Sequence, residues 1–287
     1  LKLAMFKEGG RARIGVVEGD DVVDVTAGTG GLSTELADWL PGLDTSWKVL
    51  ALLATLDKPR YRLADVELLP PVPRPPKFLA IGGNYESHLR EVEHLDIPLS
   101  PHQIWFNKQT SCVSAPYADM VMPKVSKAFD YEIELAVVIG RPCKDVSAEQ
   151  ASRYIAGYMV CNDGSVRDWQ MRTSTMTLGK SFETHGPTGP WLVTADEIGD
   201  PHTLRLRTWV NDELRQDAYT SEMIHDVYAQ IAELSTVMTL MPGDILATGT
   251  PAGVGVVRQP PQYLQVGDVV TMEIDRIGTI RNRVVGA

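Results

Sequence analysis

Cysteine is scarce: three residues, Cys112, Cys143 and Cys161, in a chain of 287. An odd, scattered set fits neither a disulfide framework nor a zinc spacing, and points to free thiols in a reducing cytoplasm. No apolar run reaches the length of a membrane span, and Leu1–Phe6 lacks the long apolar stretch of a secretory signal. Basic charge is also short, with 27 Lys and Arg against 37 Asp and Glu and a net charge of −10. That balance argues against a nucleic-acid or anionic-membrane partner, which would want a basic patch. There is no internal repeat and no low-complexity tail. Leu178-Gly179-Lys180-Ser181 invites a phosphate-loop reading, but Ser174 stands where that pattern needs glycine, so a nucleotide site is excluded. What remains is the composition of a soluble, cytoplasmic protein, 44% hydrophobic and 22% charged. Its length allows a full core in one large domain or two unequal ones.

Residues 1–25 give short alternating runs split by Glu8-Gly9-Gly10 and Glu18-Gly19-Asp20-Asp21, the pattern of an antiparallel sheet with tight turns. Ser33–Leu40 and Ser46–Leu56 predict two helices. The segment Pro70-Pro71-Val72-Pro73-Arg74-Pro75-Pro76 can be neither helix nor central strand and reads as an extended linker. It divides the chain into a small α+β N-terminal cap domain, 1–70, and a larger strand-dominated domain, 71–287. In the larger part, strand-like runs recur at 77–81, 157–162, 191–194, 204–210, 245–247, 269–274 and 278–285. Thr220–Leu234 predicts a helix whose Met223, Val227, Ile231 and Leu234 stripe reads as core. The class is mixed α/β with strands dominant.

The stretch Asp130-Tyr131-Glu132-Ile133-Glu134-Leu135-Ala136-Val137-Val138-Ile139-Gly140 carries the chemistry. It reads as a strand, so Glu132 and Glu134 project from one side, beside Ala136 and Val138. Two such carboxylates repel, and a divalent cation turns that repulsion into binding; oxygen ligands suit Mg²⁺, Mn²⁺ or Ca²⁺. A half-exposed strand with its polar face in water is the plain alternative. Asp163, at the end of the run 157–162, would add a third oxygen donor. Three such ligands leave an octahedral ion about three open positions, which is catalytic in form. No histidine lies close to the acidic strand in sequence, which disfavours zinc.

Other candidates lie on either side. His88 and Glu91 stand three apart, side by side on a helical turn, where a carboxylate fixes the imidazole tautomer and raises its basicity. An exposed surface pair would look the same. Arg167, Asp168 and Gln170 fall on a short helical turn. The loop Gly249-Thr250-Pro251-Ala252-Gly253-Val254-Gly255 could aim backbone amides at a carboxylate, or be an ordinary crossover.

Taken in order, these blocks resemble the fumarylacetoacetate hydrolase superfamily, in its acylpyruvate hydrolase-like branch. The resemblance covers roughly residues 75–285. It runs through Gly82-Gly83-Asn84-Tyr85 with His88 and Glu91, Phe106-Asn107-Lys108, the acidic strand, Asn162-Asp163, Arg167-Asp168-Trp169-Gln170, Gly179-Lys180-Ser181, Gly186-Pro187, Gly189-Pro190, Pro242-Gly243-Asp244 and the glycine loop at 249–255. It implies a mixed β-sandwich or β-roll domain, a homodimer, and Glu132, Glu134 and Asp163 as ligands of Mg²⁺. It implies that His88 and Glu91 form a lid dyad that activates water. It also implies that Lys180 stabilises developing negative charge with help from Gln170, and that Arg167 and Thr250 hold substrate. Glu86-Ser87 before His88 departs from the family pattern, so the lid over 86–97 differs somewhat.

The implied reaction is hydrolysis of the C–C bond of a 2,4-dioxo acid, giving pyruvate and a carboxylic acid. Acylpyruvates, fumarylacetoacetate-like acids and 2,4-dioxo-3-deoxy sugar acids all fit. Decarboxylation of oxaloacetate or isomerisation of an unsaturated 2-hydroxy acid on the same site are the enzymatic alternatives. A module that only binds metal and oxo acids is the non-enzymatic one.

Overall fold

The computed structural model describes residues 1–92 and 100–287. The chain opens as an antiparallel meander of β1 (Lys2–Glu8), β2 (Arg11–Glu18) and β3 (Asp21–Asp24). Gly9 and Gly10 both take positive φ, 55° and 76°, in the first turn. That is the backbone a two-residue hairpin needs, so the turn read from the sequence forms. The helix predicted over 33–40 is instead a 3₁₀ turn at Leu36–Gly42 with Pro41 inside it. Proline has no amide hydrogen to continue an α ladder. α1 (Leu43–Ala54) therefore starts three residues before the predicted Ser46, which is buried in the first turn and makes no cap. β4 (Arg60–Arg62) pairs β3, and β5 (Glu67–Leu69) pairs β1.

Beyond the proline segment come β6 (Phe78–Gly82), α2 (Glu86–Val92), β7 (Ile104–Asn107) and two short edge pieces, β8 (Val113–Ser114) and β9 (Met120–Val121). Of the lid segment 86–97, residues 93–97 lie outside the described residues. The acidic stretch is not one strand. β10 (Phe129–Asp130) and β11 (Ile133–Ile139) flank a break at Tyr131-Glu132. After them the chain makes α3 (Ala148–Ala151), β12 (Ile155–Asn162), β13 (Ser165–Val166), α4 (Arg167–Gln170), β14 (Gly186–Thr194) and α5 (Ala195–Ile198). It ends with β15 (Arg205–Val210), β16 (Glu213–Tyr219), α6 (Val227–Val237), β17 (Ile245–Ala247), β18 (Val269–Ile274) and β19 (Gly278–Val285). The helix predicted from Thr220 begins later because Asp226 caps it, its side chain accepting from the Ala229 amide at 2.7 Å. Val227, Ile231 and Leu234 are buried as predicted, while Met223 lies ahead of the helix and packs on the same core.

These elements make the strand-dominated mixed α/β fold the sequence predicts. The main sheet runs β4-β3-β2-β1-β14-β12-β11-β17-β6-β7, with β5 beside β1 and β8 beside β14. A second sheet runs β16-β15-β18-β19-β9, and β10 pairs β13 apart from both. The main sheet does not stop at the proline segment: β1 joins β14 through Lys2↔Val193 and Leu3↔Leu192. Alternation along β11 sets the packing. Ile133, Leu135, Val137 and Ile139 share a core with Leu206, Val270, Met272 and Ile280 of the second sheet. Ala136 and Val138, on the opposite face, pack with Leu40, Trp47 and Leu50. Each buried Val, Leu, Ile or Met among them is worth about 1.5–3 kcal/mol. The even-numbered face carries Glu132 and Glu134 at its open end. Among the described residues no helix is long and apolar enough to cross a membrane.

Candidate active site

Strand register brings the acidic residues together. β11 and β12 are antiparallel with Ile133 opposite Asn162 and Glu134 opposite Cys161. One step further out, the Asp163 amide donates to the Glu132 carbonyl at 2.9 Å, so Asp163 lies across from Glu132 on the same face. Glu132, Glu134 and Asp163 each offer an oxygen within 4.8 Å of the others, and all three are buried. They are not on a water-facing strand.

Three buried cations surround them. Lys180 Nζ donates to Glu132 Oε2 at 2.6 Å and to Asp163 Oδ2 at 2.7 Å. Lys108 Nζ donates to Asp163 Oδ1 at 2.6 Å and to the Lys180 carbonyl. Arg167 donates through Nε to Asp130 Oδ2 at 2.8 Å, and through a terminal nitrogen to Glu132 Oε1 at 2.6 Å and Gln170 Oε1 at 3.0 Å. Burial raises the Glu132 pKa, but Lys180 and Arg167 outweigh it and hold the carboxyl well below its ordinary value. Glu134 goes the other way. Burial, then the charges of Asp163 and Glu132, push it well above the carboxylate range.

The glycine loop aims its amides at carboxylates, and all three are the protein's own. Gly249 donates to Glu134 Oε2 at 2.7 Å, Gly253 to Glu91 Oε2 at 2.8 Å, and Gly255 to Asp130 Oδ1 at 2.8 Å. Val256 adds a bond to Asp130 Oδ2 at 3.0 Å. Gly253 sits at φ 109°, and a Cβ there would lie 1.9 Å from the Arg215 carbonyl, so only glycine fits. One loop thus grips a candidate metal ligand, the lid and the Arg167 partner together.

α2 carries the dyad. His88 Nδ1 lies 2.6 Å from Glu91 Oε1. A carboxylate only accepts, so Nδ1 carries the hydrogen and Nε2 is the ring nitrogen left to face a substrate. His88 is close enough to help lower the Glu132 pKa, which places it beside the acidic cluster. Asn84 anchors the start of the lid, donating to the Thr248 carbonyl at 2.8 Å and accepting from the His225 amide at 2.9 Å.

The structure therefore gathers Glu132, Glu134, Asp163, Lys180, Arg167 and Gln170 into one network, with His88 and Glu91 above it. Thr250 is buried in the same loop as Gly249. Arg167 turns its guanidinium to Asp130, Glu132 and Gln170 rather than to open space. Sequence reasoning gave no role to Asp130, Lys108 or Gln216. Asp130 and Lys108 stand inside recognisable blocks, but nothing in sequence says they are buried. Gln216 lies on β16, far from every block.

The donor set fits a divalent cation. Four buried carboxylates, Asp130, Glu132, Glu134 and Asp163, face three buried cations, Lys108, Lys180 and Arg167, which leaves one uncompensated negative charge. Burial first, then the neighbouring Asp163 and Glu132 charges, raise the Glu134 pKa, as expected of a carboxyl grouped with others where a cation would sit. All-oxygen ligation favours a hard ion.

The Fumarylacetoacetate (FAA) hydrolase C-terminal family matches residues 77–285. A mitochondrial oxaloacetate tautomerase of Rattus norvegicus is 40% identical over 268 residues, spanning 93% of this chain and 85% of that protein. The solved maleylpyruvate hydrolase of Sphingobium sp. SYK-6, in complex with manganese(II) and pyruvate, is 34% identical with a TM-score of 0.85 over the whole of both chains. The 5-carboxymethyl-2-hydroxymuconate delta-isomerase of Mycobacterium smegmatis is 31% identical with a TM-score of 0.78, again over the whole of both chains. Hydrolase, isomerase and tautomerase share this fold, and the chain belongs to the fumarylacetoacetate hydrolase family of enzymes.

Proposed function

We propose that the protein is a divalent-metal-dependent tautomerase of 2-oxo diacids of the oxaloacetate kind, moving a proton between C3 and the oxygen on C2. The observation that carries it is the His88–Glu91 pair at 2.6 Å beside the acidic cluster, a base with one free ring nitrogen. Glu132, Glu134 and Asp163 would hold the cation, Mg²⁺ with Mn²⁺ or Ca²⁺ as alternatives, which would supply Lewis-acid polarisation of a bound 2-oxo acid.

His88 takes the C3 proton and passes it to the C2 oxygen, the reverse transfer serving the enol, while Glu91 stabilises the imidazolium between the two transfers. Thr250 and Gln170 hold substrate oxygens. Arg167, braced by Asp130, fixes the Glu132 carboxylate. α2 covers the site and limits water. Tautomerisation needs no separate oxyanion donor, which suits a Lys180 ammonium already engaged by Glu132 and Asp163. The identity to oxaloacetate tautomerases across most of the chain supports the same reading.

Hydrolysis of a 2,4-dioxo acid is the second reading, favoured by the likeness to a maleylpyruvate hydrolase. There His88 takes a proton from a water adding to the C4 carbonyl, and the C3–C4 bond breaks to give pyruvate and a carboxylic acid. Two assays separate the readings. Decay of enol-oxaloacetate absorbance is followed with Mg²⁺, and pyruvate release from acetylpyruvate is followed in parallel, each for wild type and His88→Ala. Faster enol decay that His88→Ala abolishes, without cleavage of acetylpyruvate, supports tautomerisation. Cleavage without faster enol decay replaces it with hydrolysis.

A further inference from the structure

Gln216 reaches from the second sheet into the site, and its side-chain amide uses all of its hydrogen-bonding capacity. Oε1 accepts from the Ile133 amide at 3.1 Å and from the Thr208 hydroxyl at 3.0 Å. Nε2 donates to Thr250 Oγ1 at 2.8 Å and to the Pro251 carbonyl at 2.9 Å. Gln216 is 1% exposed, so none of these bonds competes with water.

The partners fix which way the amide points. A backbone N–H can only donate, so the atom facing Ile133 is the oxygen. A carbonyl can only accept, so the atom facing Pro251 is the nitrogen. Thr250 Oγ1 must then accept from Gln216, and its own hydrogen is turned away from Gln216. Among the described residues no protein oxygen takes that hydrogen. A buried hydroxyl held in this state offers a donor and suits an acceptor-only group, such as a carboxylate or oxo oxygen. Ile133 stands between Glu132 and Glu134, so the same amide also ties the carboxylate-bearing strand to the loop that carries Thr250.

We infer that Gln216 is a positioning residue that sets Thr250 as a hydrogen-bond donor to the carboxylate or oxo group of the substrate. It acts through Thr250 and rests on the assignment of Thr250 to substrate binding.

Gln216→Glu tests it. The variant keeps an acceptor for Ile133 and Thr208 but replaces the two donors with an acceptor, which draws the Thr250 hydrogen inward. KM for oxaloacetate is measured for wild type, Gln216→Glu, Thr250→Val and the double variant, with kcat, the Mg²⁺ activation constant and Tm alongside. The expected result is a rise in KM of about tenfold or more, the worth of a hydrogen bond to a charged group, in both single variants. Gln216→Glu should change KM far more than kcat, and should add nothing in the Thr250→Val background. A Gln216→Glu effect that persists in that background, or that falls on Tm and metal activation instead of KM, assigns Gln216 a structural role and overturns the inference. Thr250→Val with unchanged KM overturns the Thr250 assignment itself, and the inference with it. Loss of turnover by His88→Ala, read separately, keeps that failure distinct from failure of the proposed reaction.

Discussion

Glu91 stands between His88 and Gly253, taking the imidazole Nδ1 at 2.6 Å on one oxygen and the Gly253 amide at 2.8 Å on the other. The His88 ring is thus oriented by a carboxylate that is itself pinned to the loop gripping Glu134. Position and tautomer of His88 depend on the loop as much as on the helix that carries it.

Removing that base should be costly. His88→Ala is expected to lower kcat/KM by about 10²- to 10⁴-fold, the usual span for one general base. Glu91→Gln should lose less, because an amide oxygen can still accept from Nδ1. Stopped-flow or enol-decay kinetics would read this, and an undiminished kcat/KM in Glu91→Ala would remove the orienting role.

Metal binding should be visible without turnover. A cation that binds only the folded protein raises stability by about 2.7 kcal/mol at a hundred times its Kd. Addition of Mg²⁺ or Mn²⁺ should therefore raise Tm in wild type and His88→Ala alike. Glu134→Gln should abolish the rise. A Tm response that survives Glu134→Gln would place the ion elsewhere.

Asp130 makes no contact with the three candidate ligands but organises them at second hand. It is fully buried and accepts from the Tyr131, Gly255 and Val256 amides as well as from Arg167. Asp130→Asn removes the charge opposite a buried guanidinium, a change that costs about 3–5 kcal/mol where no other partner compensates. Arg167 keeps Glu132, so a value near the lower figure is expected in urea unfolding. A loss below about 1 kcal/mol would show that Glu132 alone satisfies Arg167.

His185 gives an acid limb to stability. Its ring stacks on Phe129 at 3.9 Å and Nε2 meets the Val121 carbonyl at 2.8 Å. Burial pulls its pKa from 6.5 down to about 4, against the opposing effect of that hydrogen bond. The folded state therefore holds fewer protons than the unfolded chain between those values. Stability from this group is complete above pH 6.5 and declines as pH falls, by about 3 kcal/mol at pH 4. His185→Phe keeps the stacking and removes the titration, so urea midpoints should fall less steeply across that range. An unchanged slope would clear His185 of the acid sensitivity.

Much of the fold was legible because glycine and proline act locally. The turn at Gly9-Gly10 and the strands at 245–247, 269–274 and 278–285 stand where their residues put them. The misreadings have physical causes. Pro41 turned an α helix into 3₁₀, and Asp226 captured the start of α6 from Thr220. β14 begins at Gly186, five residues before the predicted Trp191, because Pro187 and Pro190 sit in a strand whose neighbours do not need their missing amides. The acidic triad was legible because a period of two fixes which side Glu132 and Glu134 share. The network behind it was not. Lys108, Asp130 and Gln216 act through register between distant strands, and no spacing along one segment encodes that.

The seam between β1 and β14 bears on how the enzyme can be cut down for study. A fragment trimmed to residues 77–285, the span of the family match, would strip β1 from its partner. The bared flank of β14 would offer unpaired amides and carbonyls beside Leu192, a ready template for sticking to other copies. Such a fragment should come out of expression as aggregate, whatever the completeness of its catalytic residues.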